Sequence, residues 1–246
     1  KTDKIKVKVK KNKPIPKIFK LPFVRGIYTL IDGLVAGMAS LMWSSNQNLE
    51  KEEKIKKGEM TLTLIFSLLL GVGLFLGLPF LATKYIVGKG ILFSLIEGLF
   101  RVGLFIGYLA IISFSKDVQR LFQYHGAEHK VVNCYELGKK VTIRNVKKYS
   151  TQHARCGTSF IFIVLIISII VFSFITIGWW RIAWKLVLIP VIAGVSYEIL
   201  KLENRFKGRF WISFLIWPGM TLQRITTKEP DNKQIEVAMK AFEKVK

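Results

Sequence analysis

Negative charge is scarce in this sequence: 16 Asp and Glu stand against 38 Lys and Arg, a formal net charge of +22. Charge of either sign is absent from two long stretches, 61–83 (TLTLIFSLLLGVGLFLGLPFLAT) and 158–180 (TSFIFIVLIISIIVFSFITIGWW). A soluble domain of this length does not combine such runs with so large a basic excess. The first 20 residues hold nine lysines and no apolar core, which excludes a cleavable signal peptide there. An initiator methionine is also lacking, so the chain as given is expected to lack its true N-terminus. Histidine and cysteine are rarer still, three and two copies, and all five fall between residues 125 and 156.

The charge-free runs decide the class. Crossing a bilayer core takes roughly 20 helical residues, because backbone polar groups must be paired within the segment. The expected fold is an all-α polytopic membrane protein with about four transmembrane helices. Besides 61–83 and 158–180, the segments 91–115 and 186–203 are read as spans. The first of these contains Glu97 and Arg101, at the spacing of an i, i+4 ion pair. In the second, Lys185 and Lys201 are placed to snorkel to the two interfaces.

Lys and Arg collect in cytoplasmic loops. The arm 1–20, the loop 116–157 with nine basic residues, and 201–209 (KLENRFKGR) are all strongly basic. Four spans put all three on the inside only if 21–44 does not cross. That stretch, which contains Arg25 and Asp32, is therefore read as an amphipathic helix on the cytoplasmic face. The domain plan is an arm (1–20), a membrane-associated helix and charged linker (21–60), a first hairpin (61–115), the basic loop (116–157), a second hairpin (158–203), and an interfacial segment with a C-terminal helix (204–246). The location expected is the bacterial inner membrane, with both termini cytoplasmic.

The arm's KIKVKVKK alternates as a half-buried strand does, and its lysines suit anionic lipid. No RNA-binding motif accompanies it, and positive-inside bias accounts for most of the charge, so direct nucleic-acid binding is not expected. The tail NKQIEVAMKAFEKVK places Ile235, Ala238 and Phe242 near helical spacing.

The basic loop carries the chemistry. In H-G-A-E-H, residues His125, Glu128 and His129 fall at i, i+3 and i+4 and share one helix face. H-x-x-E-H is the inverted zincin arrangement, in which two histidines hold zinc and the glutamate is the general base. Gly126 weakens the helix that this requires. A second element, T-Q-H-A-R-C-G-T, supplies His153 and Cys156 just before a span, at the depth of the first element, which follows one. Both cysteines lie in a loop assigned to the reducing cytoplasm, so a disulfide is not expected. Three protein ligands leave a position open for water, and four close the site. Cys156 and Glu198 are possible additional ligands, and Arg155 is placed to steer an anion or phosphate. The sequence leaves the ligand count open.

These segments carry a resemblance. LPFVRGIYTLIDG (21–33), FQYHGAEHKVVNCYE (122–136), RCGTSF (155–160), LIPVIAGVSYEIL (188–200) and TTKEPDNKQIEVAMKAF (226–242) resemble the bacterial YqhQ family over most of the chain. The resemblance implies a polytopic inner-membrane protein described as a metal-dependent enzyme. It implies His125, His129 and His153 as ligands, with Glu128 as ligand or base. The family's glycine-rich G-G-Q-A-V-x-E-G-V-M-M stretch does not occur in this sequence.

Two functions follow as expectations. One is a zinc-dependent hydrolase at the cytoplasmic membrane surface, with Glu128 as base. The other is a non-catalytic membrane subunit whose basic surface docks a translocase, a ribosome or another membrane protein. Transport is not favoured, since Glu97 and Arg101 are the only charges expected within the membrane.

Overall fold

The computed structural model describes residues 5–10, 14–47, 57–87, 90–175, 180–206 and 209–245. Among these residues every regular element is helical, in agreement with the all-α reading. The alternating residues 5–10 have no regular structure and are exposed, so the strand pattern found no sheet to join.

The chain forms helices α1 (Val24–Ser45), α2 (Lys57–Val72), α3 (Leu78–Ile86), α4 (Ile91–Ile112) and α5 (Lys116–Glu136). A short α6 (Ile143–Val146) precedes α7 (Gly157–Ser173), α8 (Arg181–Arg205), α9 (Phe210–Thr226) and α10 (Asn232–Glu243). Four helices are long and apolar enough to cross a membrane: Val24–Ser45, Gly58–Ile86, Ile91–Ile112 and Ile182–Glu203. Three of them match expected spans. The first does not: 21–44 was expected on the surface. One of its two charges is neutralised, since Arg25 donates to Glu198 of α8. The expected span at 158–180 is a shorter helix, ending at Ser173, and residues 176–179 lie outside the described residues.

The chain divides into two compact units. One comprises Pro16–Phe105 and Val164–Ile199. Its apolar core is built on Leu76, Phe172 and Ile192. Glu97, Arg101 and Lys185 are all buried in it. Arg101 bonds Glu97 at 3.0 Å, as the i, i+4 spacing predicted. Lys185 departs from expectation: it is fully buried and donates to the same Glu97 oxygen rather than reaching an interface. A π-helical turn, Gly73–Gly77, joins α2 to α3. Pro79 has no N–H to give the Phe75 carbonyl one turn back, and Arg101 Nε donates to that carbonyl instead, at 2.9 Å.

The other unit comprises Ile106–Ile163 and Leu200–Lys246, with Lys1–Ile15. The span read at 91–115 does not run on into the loop as one helix. It stops at Ile112, and α5 begins afresh at Lys116, with Gln119 Nε2 donating to the Ser113 carbonyl across the turn. α5 ends where Gly138 takes φ +67°, the left-handed conformation that glycine adopts at low cost. α10 starts from a capping box between Asp231 and Gln234, and it lays Ile235 against Ala127, Val131 and Cys134 of α5. The amphipathic tail helix is thus present, packed on the helix that carries H-G-A-E-H.

Candidate metal centre

α5 sets His125 and His129 one turn apart, their ring centroids separated by 4.4 Å. Each ring commits its Nδ1 to a backbone carbonyl: His125 to Thr226 at 2.9 Å, and His129 to Thr151 at 2.6 Å. A carbonyl only accepts, so each Nδ1 carries a proton and Nε2 is the nitrogen left to the site: it offers a lone pair in the neutral ring and an N–H in the imidazolium. Backbone carbonyls holding the far nitrogen in this way fix the tautomer and ring orientation of metal-binding histidines.

Cys156 completes a group of three that could hold a metal ion. Its Sγ lies 3.2 Å from His125 Nε2, and the ligand atoms of His125, His129 and Cys156 are all within 4.8 Å of one another. Tetrahedral ligation of zinc by nitrogen and sulfur separates donors by about 3.5 Å. Cys156 immediately precedes α7, so the Thr158 N–H and hydroxyl both reach its sulfur, at 3.5 and 3.3 Å. Burial pushes the Cys156 thiol up, but hydrogen bonds from His125, His129 and Thr158 outweigh it and bring it to about 5. Burial works against the charged form of His125, yet Cys156, the Thr226 carbonyl and Glu128 hold its pKa above the ordinary value. Two imidazole nitrogens and a thiolate are a fitting donor set for zinc with one position left open. Cys134 is different: it is fully buried on the far side of α5, and burial alone raises its thiol.

His153 stands beside this group rather than in it. Its ring centroid is 5.8 Å from that of His129, its Nδ1 accepts from the Arg155 N–H, and its Nε2 lies 3.4 Å from Glu136 Oε1. Burial lowers its pKa below the ordinary value, against the pull of Glu136. Arg155 donates to Glu136 and lies 3.7 Å from Glu203, so two carboxylates share its charge. Glu128 is exposed and lines a cleft of about 230 Å³ together with His125, His129, His153, Arg155 and Cys156. Glu198 belongs to the other unit, where it accepts from Arg25 Nε at 2.7 Å and from the Phe23 N–H at 3.1 Å.

Sequence reasoning missed the C-terminal clamp. Gln223 is fully buried; it accepts from the His153 N–H at 2.8 Å and donates to the His153 carbonyl at 2.9 Å. The 226–228 segment then runs against α5, with the Lys228 N–H on the Phe122 carbonyl at 2.9 Å. Gly126 permits that approach, because a Cβ there would collide with the Lys228 carbonyl. Gln223 gave one signal, a lone amide within the apolar FWISFLIWPGMTLQRI. The carbonyls of Thr151 and Thr226 gave none.

The chain matches the family described as "Protein of unknown function (DUF1385)" over residues 21–246. It is also 37% identical, over 259 aligned residues, to "Uncharacterized protein YqhQ" of Bacillus subtilis (strain 168); the alignment covers 98% of this chain and 81% of that relative. No solved structure matches it.

Proposed function

The chain belongs to the family of proteins of unknown function DUF1385, and from that premise we propose that it is a metal-dependent hydrolase of the bacterial inner membrane. The observation that carries this reading is the pair of histidines whose Nδ1 atoms are held by carbonyls while their other ring nitrogens are grouped with the Cys156 sulfur. His125, His129 and Cys156 are the ligands, and zinc suits their mixture of nitrogen and sulfur. When bound, zinc supplies an acidified water and polarises a carbonyl or phosphoryl oxygen.

The chain's own residues supply the rest. Glu128, on the cleft rim one residue before His129, accepts the proton of the attacking water at a carboxylate oxygen. Glu136 holds His153 and Arg155 together at the cleft wall. Gln223 keeps the His153 backbone in register with α9. The basic loop and both termini lie on the cytoplasmic side, by the charge bias that collects Lys and Arg there.

Metal analysis by mass spectrometry on detergent-purified protein tests the ligand set. About one zinc per chain is expected. It should be lost in His129→Ala and Cys156→Ser and retained in His153→Ala. Absence of metal after zinc reconstitution would overturn the site. Glu128→Gln should keep the zinc and lose hydrolysis of a chromogenic ester or peptide substrate found by screening. Unchanged turnover in that variant would remove Glu128 as base.

A second reading rests on the net charge of +22 and on the exposed residues 5–10. In it the basic surface docks a translocase, a ribosome or another membrane protein, and the metal only rigidifies the cleft. Co-purification of one defined partner from native membranes, lost at high salt, supports it; recovery of the protein alone at low salt counts against it.

A further inference from the structure

A second recess, of about 550 Å³, opens between the end of α5, residues 139–143 and α10, and it shares no lining residue with the metal cleft. Its volume falls within the range of sites that take small organic ligands. Val141, Ile143 and Met239 line it and pack on the apolar core below, so this wall is held rigidly. Tyr135 and Phe242 also line it, with ring centroids 4.9 Å apart and planes inclined by 58°. Tyr135 is 43% exposed.

The polar groups are sorted around that apolar wall. Lys139 and Lys140 follow Gly138, where α5 stops, and both belong to the lining. Neither ammonium has an ion-pair partner among the described residues. α10 contributes Glu236, Lys240 and Glu243 from one helix face, and Lys240 is engaged by Glu243 at 3.7 Å. An anion without an apolar body has no use for the aromatic wall. A simple acyl anion has no use for Glu236 beside Met239. A flat polar ring joined to phosphate uses every part.

We propose that this recess is a nucleotide site. The base lies against Tyr135 over the Met239 wall, Glu236 accepts hydrogen bonds from ring amino or sugar hydroxyl groups, and the phosphates meet Lys139 and Lys140. Aromatic stacking on a base strengthens binding by about tenfold or more in nucleic-acid sites, so removal of Tyr135 has a readable effect.

Isothermal titration calorimetry on the detergent-purified full chain tests this with three probes: ADP, adenosine and pyrophosphate. ADP should bind at least about tenfold more tightly than either fragment, since it alone engages both walls. The double substitution Lys139→Ala, Lys140→Ala should weaken ADP by about tenfold or more and leave adenosine unchanged. Tyr135→Ala should weaken ADP and adenosine together. All three positions are exposed, so melting temperatures should stay close to that of the unsubstituted protein. His125→Ala should bind ADP as before; loss there would place the nucleotide at the metal cleft and overturn the proposal. No ADP binding at millimolar concentration would overturn it too. So would pyrophosphate binding as tightly as ADP and insensitive to Tyr135→Ala, which is charge attraction only.

Discussion

The two cysteines differ in ways that composition does not reveal. Cys156 sits before a helix, among two imidazoles and a hydroxyl, and its pKa falls to about 5. Cys134 sits among apolar side chains, and its pKa rises. A thiolate is the species that alkylates. In metal-free protein at pH 7, iodoacetamide should therefore modify Cys156 and spare Cys134, and peptide mass spectrometry distinguishes the two. The rate at Cys156 should rise with pH around a midpoint near 5, well below that of an ordinary thiol. The sign for stability is the same: with the folded pKa below the unfolded one, this thiolate's contribution is full above the unfolded pKa and is lost as pH falls through about 5. Zinc loading should protect Cys156 from the reagent. Equal labelling of both cysteines would remove the helix-end thiolate from the site.

Among the helices, the largest departure from the sequence reading is the buried charge group. Glu97 and Arg101 were legible as an i, i+4 pair on α4. Lys185 was not, because its partner stands 88 positions away and only packing brings α8 to α4. Two cations now share one carboxylate, with the Phe75 carbonyl and the rings of Phe172 and Phe80 completing their surroundings. Removing one partner of a buried ion pair costs about 3–5 kcal/mol, because the survivor stays buried and charged. Glu97→Gln strands two cations and should lower the thermal midpoint sharply. Lys185→Met removes one cation and leaves the Glu97–Arg101 pair intact, so its effect should be small. Differential scanning fluorimetry in detergent reads both; equal losses would show that the group does not act through charge.

For the whole molecule, orientation is the open variable that charge addresses. Positive-inside bias predicts that the arm, the 116–157 loop and the C-terminus are on the cytoplasmic side. The structure adds a helix, Val24–Ser45, that is long and apolar enough to cross, with Arg25 already matched to Glu198. Alkaline phosphatase folds only outside the cytoplasm, because it needs its disulfides. Fusions after residues 47, 140 and 245 should all be inactive if 21–44 stays on the cytoplasmic face. Activity after residue 47 would show that α1 crosses and would reassign every later segment.

The sequence by itself determined what is periodic and local. Charge-free runs of bilayer length specify helices, since backbone groups in lipid have no other partners. H-x-x-E-H puts three functional groups on one face, because i, i+3 and i+4 are neighbours on any helix. The capping box at Asp231 and the apolar face of the tail are local in the same sense. The tertiary structure decided what depends on distant partners. It brought Cys156, rather than His153, into the group with His125 and His129 that could hold a metal ion, and set His153 beside Glu136. It held both Nδ1 atoms on the carbonyls of Thr151 and Thr226, and it required glycine at 126 where the chain returns. A carbonyl carries no residue identity, and a contact between positions 125 and 226 leaves no periodicity. Such terms are invisible until the helices pack.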